Sequence, residues 1–400
     1  MYAALIALCV WLLWANPAGA VAISAISGGA SDGTTPVPPP CATFGFSVEA
    51  MSTLPISQDN ARMVRVDRSG NSQTGYVLTS QPTGYSVYAF DYKTMQNLGS
   101  LSVTPLGYRD AGRLQGDVSL VDGKLYVFYE VSTAEPTCPA NRCLVMARWS
   151  GKALELTVID TNAGAVQNID DARESGSQFL VVMVNVGTRF FRTYDRASMT
   201  RTATGTDTGI SDFGHIGRAM TNGIIMASIA DNTTFPNIFR FTAGTPTASG
   251  TNSLSFTPGL GVAAVFPQQS TLTAFDSGNE ASPQRAFVTG STLTGPQNFP
   301  LTGANIGAAF QGAFYDPVNR KVFSLRRDNG VGTSLLLRSD LDPATSDERF
   351  TCPTCANSGG TTVGSQIVDY VPSYMRMYVG SNDSPSILSK IKVCATGGPP

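Results

Sequence analysis

The chain has 400 residues, of which 14% are charged, with 27 basic and 29 acidic residues and a formal net charge of −2 at pH 7. The lack of a positive balance or a basic cluster excludes a typical nucleic-acid-binding protein. An apolar content of 42% is enough for a substantial core and excludes a chain that is disordered throughout.

The first 20 residues have the layout of a secretory signal peptide. An apolar run from Ala3 to Trp14 precedes Asn16-Pro17 and the small residues 18–20, which match an h-region, a breaker and a cleavage site. The start has no Lys or Arg, and apolar residues resume at 21–26, so a signal anchor is the alternative. Neither half reaches the roughly 20 apolar residues that span a bilayer. We therefore expect cleavage, secretion or cell-surface display, and no membrane span in the mature chain.

One large domain is predicted after the leader. Residues 21–40 include the uncharged, Pro-rich stretch Thr34 to Pro40, which is typical of an extended tether. No similar linker divides the rest of the chain. We therefore expect a single folded domain over residues 41–394 and a short tail at 395–400.

Six cysteines remain after the leader, an even number that is typical of disulfides in an oxidising compartment. Closeness in sequence predicts two local bridges and leaves one bridge between the chain ends. The predicted pairs are Cys138–Cys143, Cys352–Cys355 and Cys41–Cys394.

Two other uses of these cysteines are disfavoured. The motif Cys352-Pro353-Thr354-Cys355 matches the CxxC of redox proteins, but it follows the polar segment 346–351 and is predicted to lie in a loop between repeats. Together with Cys138 and Cys143 it has zinc-ligand spacing. Secretion argues against zinc, because thiols in that compartment are expected to oxidise. No metal or cofactor is assigned.

Short runs of aromatic and β-branched residues between Gly, Asn, Asp and Pro predict strands and hairpins along the chain. The clearest runs come in pairs, each with a weaker run upstream and most with another downstream. In chain order the pairs are 76–79 with 86–91, 125–129 with 143–149, 179–184 with 189–194, 224–229 with 237–241, 271–275 with 285–289, 321–325 with 334–338, and 376–380 with 386–393.

The first runs of successive pairs start 45 to 55 residues apart. Four strands per unit at about this period are typical of β-propeller blades, and residues 43–394 resemble secreted β-propellers as a broad class. The resemblance implies an all-β fold of seven four-stranded blades. It rests on the period and includes no WD, kelch, Asp-box or FG-GAP motif, so it carries over no site residues.

The last unit is one strand short. Residues 395–400 cannot form it, whereas the run Thr43 to Glu49 precedes the first unit. We expect this run to pair antiparallel with 386–393 as the outer strand of the seventh blade, which would satisfy both sheet edges. That pairing would place Cys41 beside Cys394 and close the ring.

His215 is the only histidine in the chain, so any Ser-His-Asp triad or multi-histidine metal site depends on it. It enters the fourth unit between Asp212 and Arg218. With Asp171 and Arg173 these residues form a candidate site at the mouth of the channel. A structural or surface role is favoured for a lone histidine, and no catalytic residue is assigned.

Other charged residues fall near predicted inner strands. They are Asp117, Asp170, Asp171, Glu174, Asp369, Arg65, Arg113, Arg173 and Arg218. Two carboxylates suffice for glycosidase or lyase chemistry, and arginines at a channel mouth would bind an anionic sugar or a peptide carboxylate. The favoured alternative is that these charges pair with one another.

Two loops are candidate calcium sites, and two asparagines are candidate glycosylation sites. Residues 67–71 and 276–280 have acidic and amide oxygens around a glycine, but hairpin turns explain them better than calcium loops. Asn232 and Asn382 begin N-glycosylation sequons, and Pro385 weakens the second.

These observations predict a secreted or cell-surface binding or assembly module that recognises a protein partner or a glycan through loops on one propeller face. The alternative is an extracellular hydrolase or lyase acting on a carbohydrate or ester at the channel mouth. Trp149 is the only tryptophan after the leader. Because glycan sites use exposed aromatic rings, protein partners are favoured over sugars.

Overall fold

The computed structural model describes most of the chain between residues 45 and 394. The described residues are 45–53, 60–67, 72–81, 83–104, 114–119, 121–132, 142–149, 154–160, 168–175, 177–185, 188–207, 214–216, 224–230, 234–242, 245–247, 262–268, 271–276, 284–289, 292–298, 306–316, 321–328, 334–340, 348–352, 368–371, 374–380 and 387–394.

Within these residues the chain forms 28 strands, numbered in chain order. The first fourteen are β1 (Gly45–Thr53), β2 (Asn60–Val66), β3 (Thr74–Gln81), β4 (Gly84–Asp91), β5 (Asn97–Val103), β6 (Gln115–Val118), β7 (Leu125–Ser132), β8 (Arg142–Trp149), β9 (Leu154–Asp160), β10 (Asn168–Ser175), β11 (Gln178–Asn185), β12 (Thr188–Asp195), β13 (Arg201–Asp207) and β14 (Gly214–Ile216). The others are β15 (Ile224–Ala230), β16 (Thr234–Thr242), β17 (Thr245–Thr247), β18 (Val262–Gln268), β19 (Thr271–Asp276), β20 (Gln284–Thr289), β21 (Thr292–Asn298), β22 (Ile306–Asp316), β23 (Lys321–Asp328), β24 (Ser334–Asp340), β25 (Glu348–Cys352), β26 (Val368–Val371), β27 (Arg376–Gly380) and β28 (Ile387–Cys394).

The described strands make seven four-stranded antiparallel sheets. Six of them use four consecutive strands, so that β2 to β5 form sheet one and β22 to β25 form sheet six. Sheet seven has the order β1-β28-β27-β26 and therefore takes its outermost strand from the start of the domain. The first strands of successive sheets contact one another, and β26 also contacts β2.

Strand β4 of sheet one is buried on both faces, to which its successive side chains point in turn. Tyr85 and Val87 point into a core shared with sheet two, whereas Tyr88 and Phe90 point into a core shared with sheet seven. A third core lies between sheets two and three. Sheets seven, one, two and three therefore pack face to face in this order.

The pairing of β1 with β28 runs from Gly45 opposite Cys394 to Thr53 opposite Ile387. The strand thus continues past the predicted end at Glu49, because the small and polar residues that follow also fit an outer strand. Glu49 is the extra residue of a bulge between Val48 and Ala50. Such a bulge redirects a side chain without ending the ladder.

The polar segment 346–351, which precedes the CxxC motif, is a strand for most of its length, whereas residues 353–355 of the motif lie outside the described residues and their loop position stays a prediction. Glu348–Cys352 forms β25, the outer strand of sheet six, which pairs with β24. An outer strand has one exposed edge and tolerates polar residues. Polarity alone was therefore a poor guide here, and Cys352 ends a strand.

A recurring turn joins the third and fourth strands of sheets one and three. Asp91 Oδ1 accepts hydrogen bonds of 2.8 Å from the backbone N–H groups of Lys93 and Thr94. Asp195 does the same for Ser198 at 2.7 Å, and this hydrogen bond is the main reason that the pKa of the Asp195 carboxyl is lowered. Each turn ends at a methionine with positive φ. The shared pattern is Asp-x-x-(Ser/Thr)-Met.

In the described part of the chain, no helix has the length and apolar character needed to cross a membrane.

Gly75 provides a test of the packing between β3 and β4. It lies opposite Phe90, and a Cβ at this position would come within 2.2 Å of Phe90 Cζ. Gly75→Ala should therefore lower the free energy of unfolding by about 1–3 kcal/mol, because the ring has to move within a filled core. Denaturant unfolding would measure this loss. Ser100→Ala, at an exposed position on β5, is the control and should change stability by no more than about 0.5 kcal/mol. Equal stability of the two variants would contradict this packing.

Candidate functional site

The structure places three of the five predicted channel-mouth residues on the first strands of two neighbouring sheets. His215 is the middle residue of β14 and lies opposite Ala227. Asp171 and Arg173 belong to β10, the first strand of sheet three, which contacts β14. Asp212 precedes β14 and Arg218 follows it, and both lie outside the described residues, as does Arg113.

Three of the predicted inner-strand charges occupy equivalent positions. Each lies directly opposite a tyrosine of the second strand in its own sheet. The pairs are Arg65–Tyr76 in sheet one, Asp117–Tyr126 in sheet two and Asp369–Tyr378 in sheet seven. The signal for the tyrosines is a Tyr-Val dipeptide early in each second strand, which the sequence analysis did not use.

The two aspartates make the same contacts. Asp369 Oδ2 accepts a 2.9 Å hydrogen bond from the backbone N–H of Val66 in sheet one. Asp117 Oδ2 accepts one of 3.3 Å from the backbone N–H of Glu174 in sheet three. In both cases Oδ1 accepts the N–H of the next residue in its own strand. Each aspartate thus ties its first strand to that of the next sheet.

Arg65 and Glu174 extend this set. Arg65 Nε lies 3.7 Å from Asp117 Oδ1, which joins sheets one and two. Glu174 Oε1 accepts hydrogen bonds from Ser119 Oγ at 2.5 Å and from Arg196 Nη1 at 2.6 Å. Sheets seven, one, two and three are therefore linked in order by charged or polar contacts near their first strands.

These groups are shielded from solvent. The exposed fractions are 3% for Arg65, 2% for Asp117, 2% for Asp369 and 7% for Glu174. Burying a charge is costly unless it is paired and hydrogen-bonded, and here each group has partners. Of these four residues, Arg65 and Asp117 pair with each other, Glu174 pairs with Arg196 of its own sheet, and Asp369 accepts backbone N–H groups. All four are therefore engaged in structural contacts.

The tyrosines opposite these charges also reach polar partners. Tyr76 OH donates to the carbonyl oxygen of Gly123 in sheet two at 3.3 Å, and Tyr378 OH donates to the carbonyl oxygen of Tyr92 in sheet one. Tyr126 OH donates to Asp122 Oδ2 at 2.9 Å. Burial raises the pKa of Tyr126 to about 12 and also raises the pKa values of Tyr76 and Tyr378 above their ordinary value. These hydroxyls are therefore neutral donors at physiological pH.

A second polar cluster fixes β1 on sheet seven. Arg376 donates hydrogen bonds of 2.7 Å from Nε and Nη2 to the two carboxylate oxygens of Glu49, and Lys390 Nζ lies 3.7 Å from the same carboxylate. Arg376 and Lys390 both approach the Tyr374 ring, at 4.9 and 5.1 Å from its centre. The bulge at Glu49 therefore lets β1 contact β27 across the intervening strand.

Three of the six cysteines that follow the leader lie in described strands. Cys143 lies in β8, Cys352 ends β25, and Cys394 ends β28 opposite Gly45. Their predicted partners Cys41, Cys138 and Cys355 lie outside the described residues, and so do Asn232 and Asn382. All three bridges and both glycosylation sites stay predictions.

The loop at 67–71 can be judged in part. Asp67 Oδ2 accepts hydrogen bonds from the backbone N–H and the Oγ of Ser72, at 2.7 and 2.8 Å. This carboxylate therefore closes a hairpin turn between β2 and β3. Among the residues whose positions the structure describes, no three His, Cys, Asp or Glu side chains are grouped to hold a metal ion.

No protein-family model matches the sequence, and no curated protein is significantly similar to it. Similar solved structures include the WD40 β-propeller domain of Doa1, with 11% identity, a TM-score of 0.52 and coverage of 87% of this chain and 97% of that one. U3-55K has 12% identity, a TM-score of 0.54 and coverage of 86% and 99%. A proposed 6-phosphogluconolactonase from Bacteroides uniformis ATCC 8492 has 12% identity, a TM-score of 0.51 and coverage of 82% and 90%. Identities this low establish the fold only: the chain is an all-β protein with a β-propeller fold.

The buried aspartates generate a stability prediction. Asp369→Ala removes the acceptor of the Val66 N–H and should cost at least about 1–3 kcal/mol of unfolding free energy, because a buried donor loses its partner. Asp369→Asn keeps one oxygen and should cost less. Denaturant unfolding of both variants measures the difference. An alanine variant as stable as the wild type would contradict the connector role, and Ser100→Ala again serves as the exposed control.

Proposed function

We propose that the chain is a secreted or cell-surface binding module, a seven-bladed propeller that recognises a protein partner through the connections on one of its faces. Each four-stranded sheet is one blade, and the N-terminal strand β1 completes the seventh. The leader and the even number of mature cysteines support secretion. The comparisons support the propeller fold and leave the partner open.

Closure of the ring is supported by a repeated backbone contact at the end of the third strand. In sheets one, three and seven, the residue that follows the last residue of the third strand paired with the second strand donates its backbone N–H to the carbonyl oxygen of the residue that precedes the second strand. The three bonds are Tyr92 to Gln73 at 3.0 Å, Arg196 to Ser177 at 2.8 Å and Val393 to Met375 at 3.0 Å.

This equivalence gives Cys394 a specific place. Tyr92 and Arg196 lie in the turns that join the third strand to the fourth, whereas Val393 is followed by Cys394 and no such turn joins β28 to β1. Cys41 precedes β1 by only a few residues. In the proposed ring, a Cys41–Cys394 disulfide replaces the missing turn and joins the seventh blade covalently.

The binding face follows from the lengths of the connections. Connections between the first and second strands, and between the third and fourth, lie at one end of each sheet; the remaining connections lie at the other end. The longest ones all belong to the second group: 104–114, 133–141, 248–261 and 353–367. Long loops on a rigid scaffold commonly carry function. We call this end the long-connection face.

Two of the predicted disulfides also fall on this face. Cys138 lies in the connection 133–141 and Cys143 starts the next strand, while Cys352 ends β25 and Cys355 lies in the connection that follows. A local bridge restricts a loop and so lowers the entropy lost on binding. This supports a role in recognition for the long-connection face.

The observation that carries the proposal is the burial of the inner-strand charges. A hydrolase or lyase needs carboxylates that reach a substrate. Arg65, Asp117, Asp369 and Glu174 are instead enclosed and committed to contacts between sheets. The enzyme alternative then depends on the remaining candidates, which include Asp171 and Arg173 in sheet three and His215 in sheet four, whereas a binding module needs no such group.

Site-specific photo-crosslinking tests the proposed face. A photo-reactive amino acid at Asn252, within the connection 248–261, should capture a discrete protein from the secreted and envelope fractions of the source organism. The same group at Val121, an exposed residue on the opposite face, should not. Mass spectrometry of the adducts identifies the captured protein, and its saturable binding to the purified chain confirms the partner.

Two results would overturn the proposal. Adducts from Val121 alone, or from neither position, would contradict the long-connection face. Turnover of an ester or polysaccharide that is lost in His215→Ala would establish the hydrolase or lyase alternative. Equal turnover by that variant and the wild type would locate catalysis elsewhere and would also contradict a pure binding module.

Non-reducing peptide mapping tests the closure. Cys41 and Cys394 should appear in one linked peptide, and Cys394→Ser should cost roughly 4 to 5 kcal/mol of unfolding free energy in the chain-entropy model, because the bridge closes a very long loop. Cys143→Ser, which opens only the predicted local loop, should cost less. A link from Cys41 to any other cysteine would contradict the proposed ring.

A further inference from the structure

The outer strands of the seven sheets differ in how their edges are protected. The unpaired edge of an outer strand can pair with a strand of another chain, and natural proteins prevent this with charged residues or proline on that strand. Six outer strands contain at least one such residue. Examples from these six are Glu49 in β1, Glu155 in β9, Arg201 in β13, Pro246 in β17, Pro296 in β21 and Arg349 in β25.

The exception is β5. Its sequence Asn-Leu-Gly-Ser-Leu-Ser-Val has neither a charge nor a proline. In the described part of the chain β5 ends its sheet, with β4 on one side and no strand on the other. The chain thus leaves one outer edge of the propeller without either of these protections.

The side chains of β5 alternate in exposure. Leu101 and Val103 are partly buried and pack on the core between sheets one and two, while Ser100 and Ser102 are exposed. Leu98 is 40% exposed and lies at a bulge opposite Ala89 and Phe90. The ladder is regular from residue 99 onward, so a straight run of edge remains for pairing.

The features of this edge favour the same strand of a second copy of the chain as its pairing partner. In an antiparallel pair related by a two-fold axis, the residue at the centre of the strand meets its own symmetry mate, so a charge there would meet a like charge. A strand with no charge avoids this repulsion. The whole chain has a net charge of only −2, so long-range repulsion between two copies is small. An unrelated partner strand would find no charge on β5 to fix its register.

We propose that β5 pairs antiparallel with β5 of a second copy, so that the two four-stranded sheets become one continuous sheet across a two-fold dimer. Ser100 is the central residue of the strand and lies at or next to the axis. The contact uses the edge of blade one and leaves the long-connection face free. The dimer therefore does not depend on the proposed binding function.

Charge substitutions at Ser100 test the dimer. Sedimentation or light scattering over a concentration series should show a dimer for the wild type. Ser100→Lys and Ser100→Glu should each raise the dissociation constant of the dimer at least about tenfold, because like charges then meet at the interface. A mixture of the two variants should dimerise again, because Lys and Glu attract each other across the axis.

Ala197→Lys adds the same charge at an exposed turn of sheet three and should leave the dimer unchanged. Circular dichroism and the Tm of the Ser100 variants, compared with the wild type, show that the fold is intact. A wild type that is monomeric throughout the series would overturn the proposal. So would a dimer that persists in both Ser100 variants, since the interface would then lie elsewhere.

Discussion

The hydrogen bond from a backbone N–H of one sheet to a buried aspartate of its neighbour is the contact on which the arrangement of the inner strands depends. Asp369 holds Val66 in this way, and Asp117 holds Glu174. The packing of the sheets is apolar and sets no register by itself, whereas a directional bond near the inner strands does. Charges that look like catalytic candidates in the sequence are thus used to align neighbouring sheets.

Much of the fold could be predicted because strand periodicity is a local property. The nearly continuous run of aromatic and small residues along β4 is typical of a strand that is buried on both faces, and regular spacing of such runs predicts repeated sheets. Outer strands were harder to predict from the sequence. The end of β1, at 50–53, and β25 consist mostly of small, polar or charged residues, which an outer strand tolerates because one of its edges is exposed. Composition therefore underestimates strands in these places.

The candidate site was predictable only in part. The charges at 65, 117 and 369 could be placed near inner strands, but their partners come from other sheets, and sequence distance says nothing about those contacts. The role of the tyrosines opposite them was not predicted, because aromatic residues are common in strands and each tyrosine was interpreted only as a sign of a strand. Their shared register with Arg65, Asp117 and Asp369 appears only once the strands are paired.

The origin of the seventh sheet has a consequence for the order of folding. Among the described strands, β1 is synthesised first, whereas its partner β28 is synthesised last. Pairing two strands that are so distant in sequence has a large entropic cost of loop closure, so we expect β1 and β28 to pair late in folding. Until then the unpaired strand is a hazard for association with other chains. Glu49 is a charged residue at the middle of β1, where it would disfavour pairing of the unpaired strand with another chain. In the folded protein the same carboxylate binds Arg376.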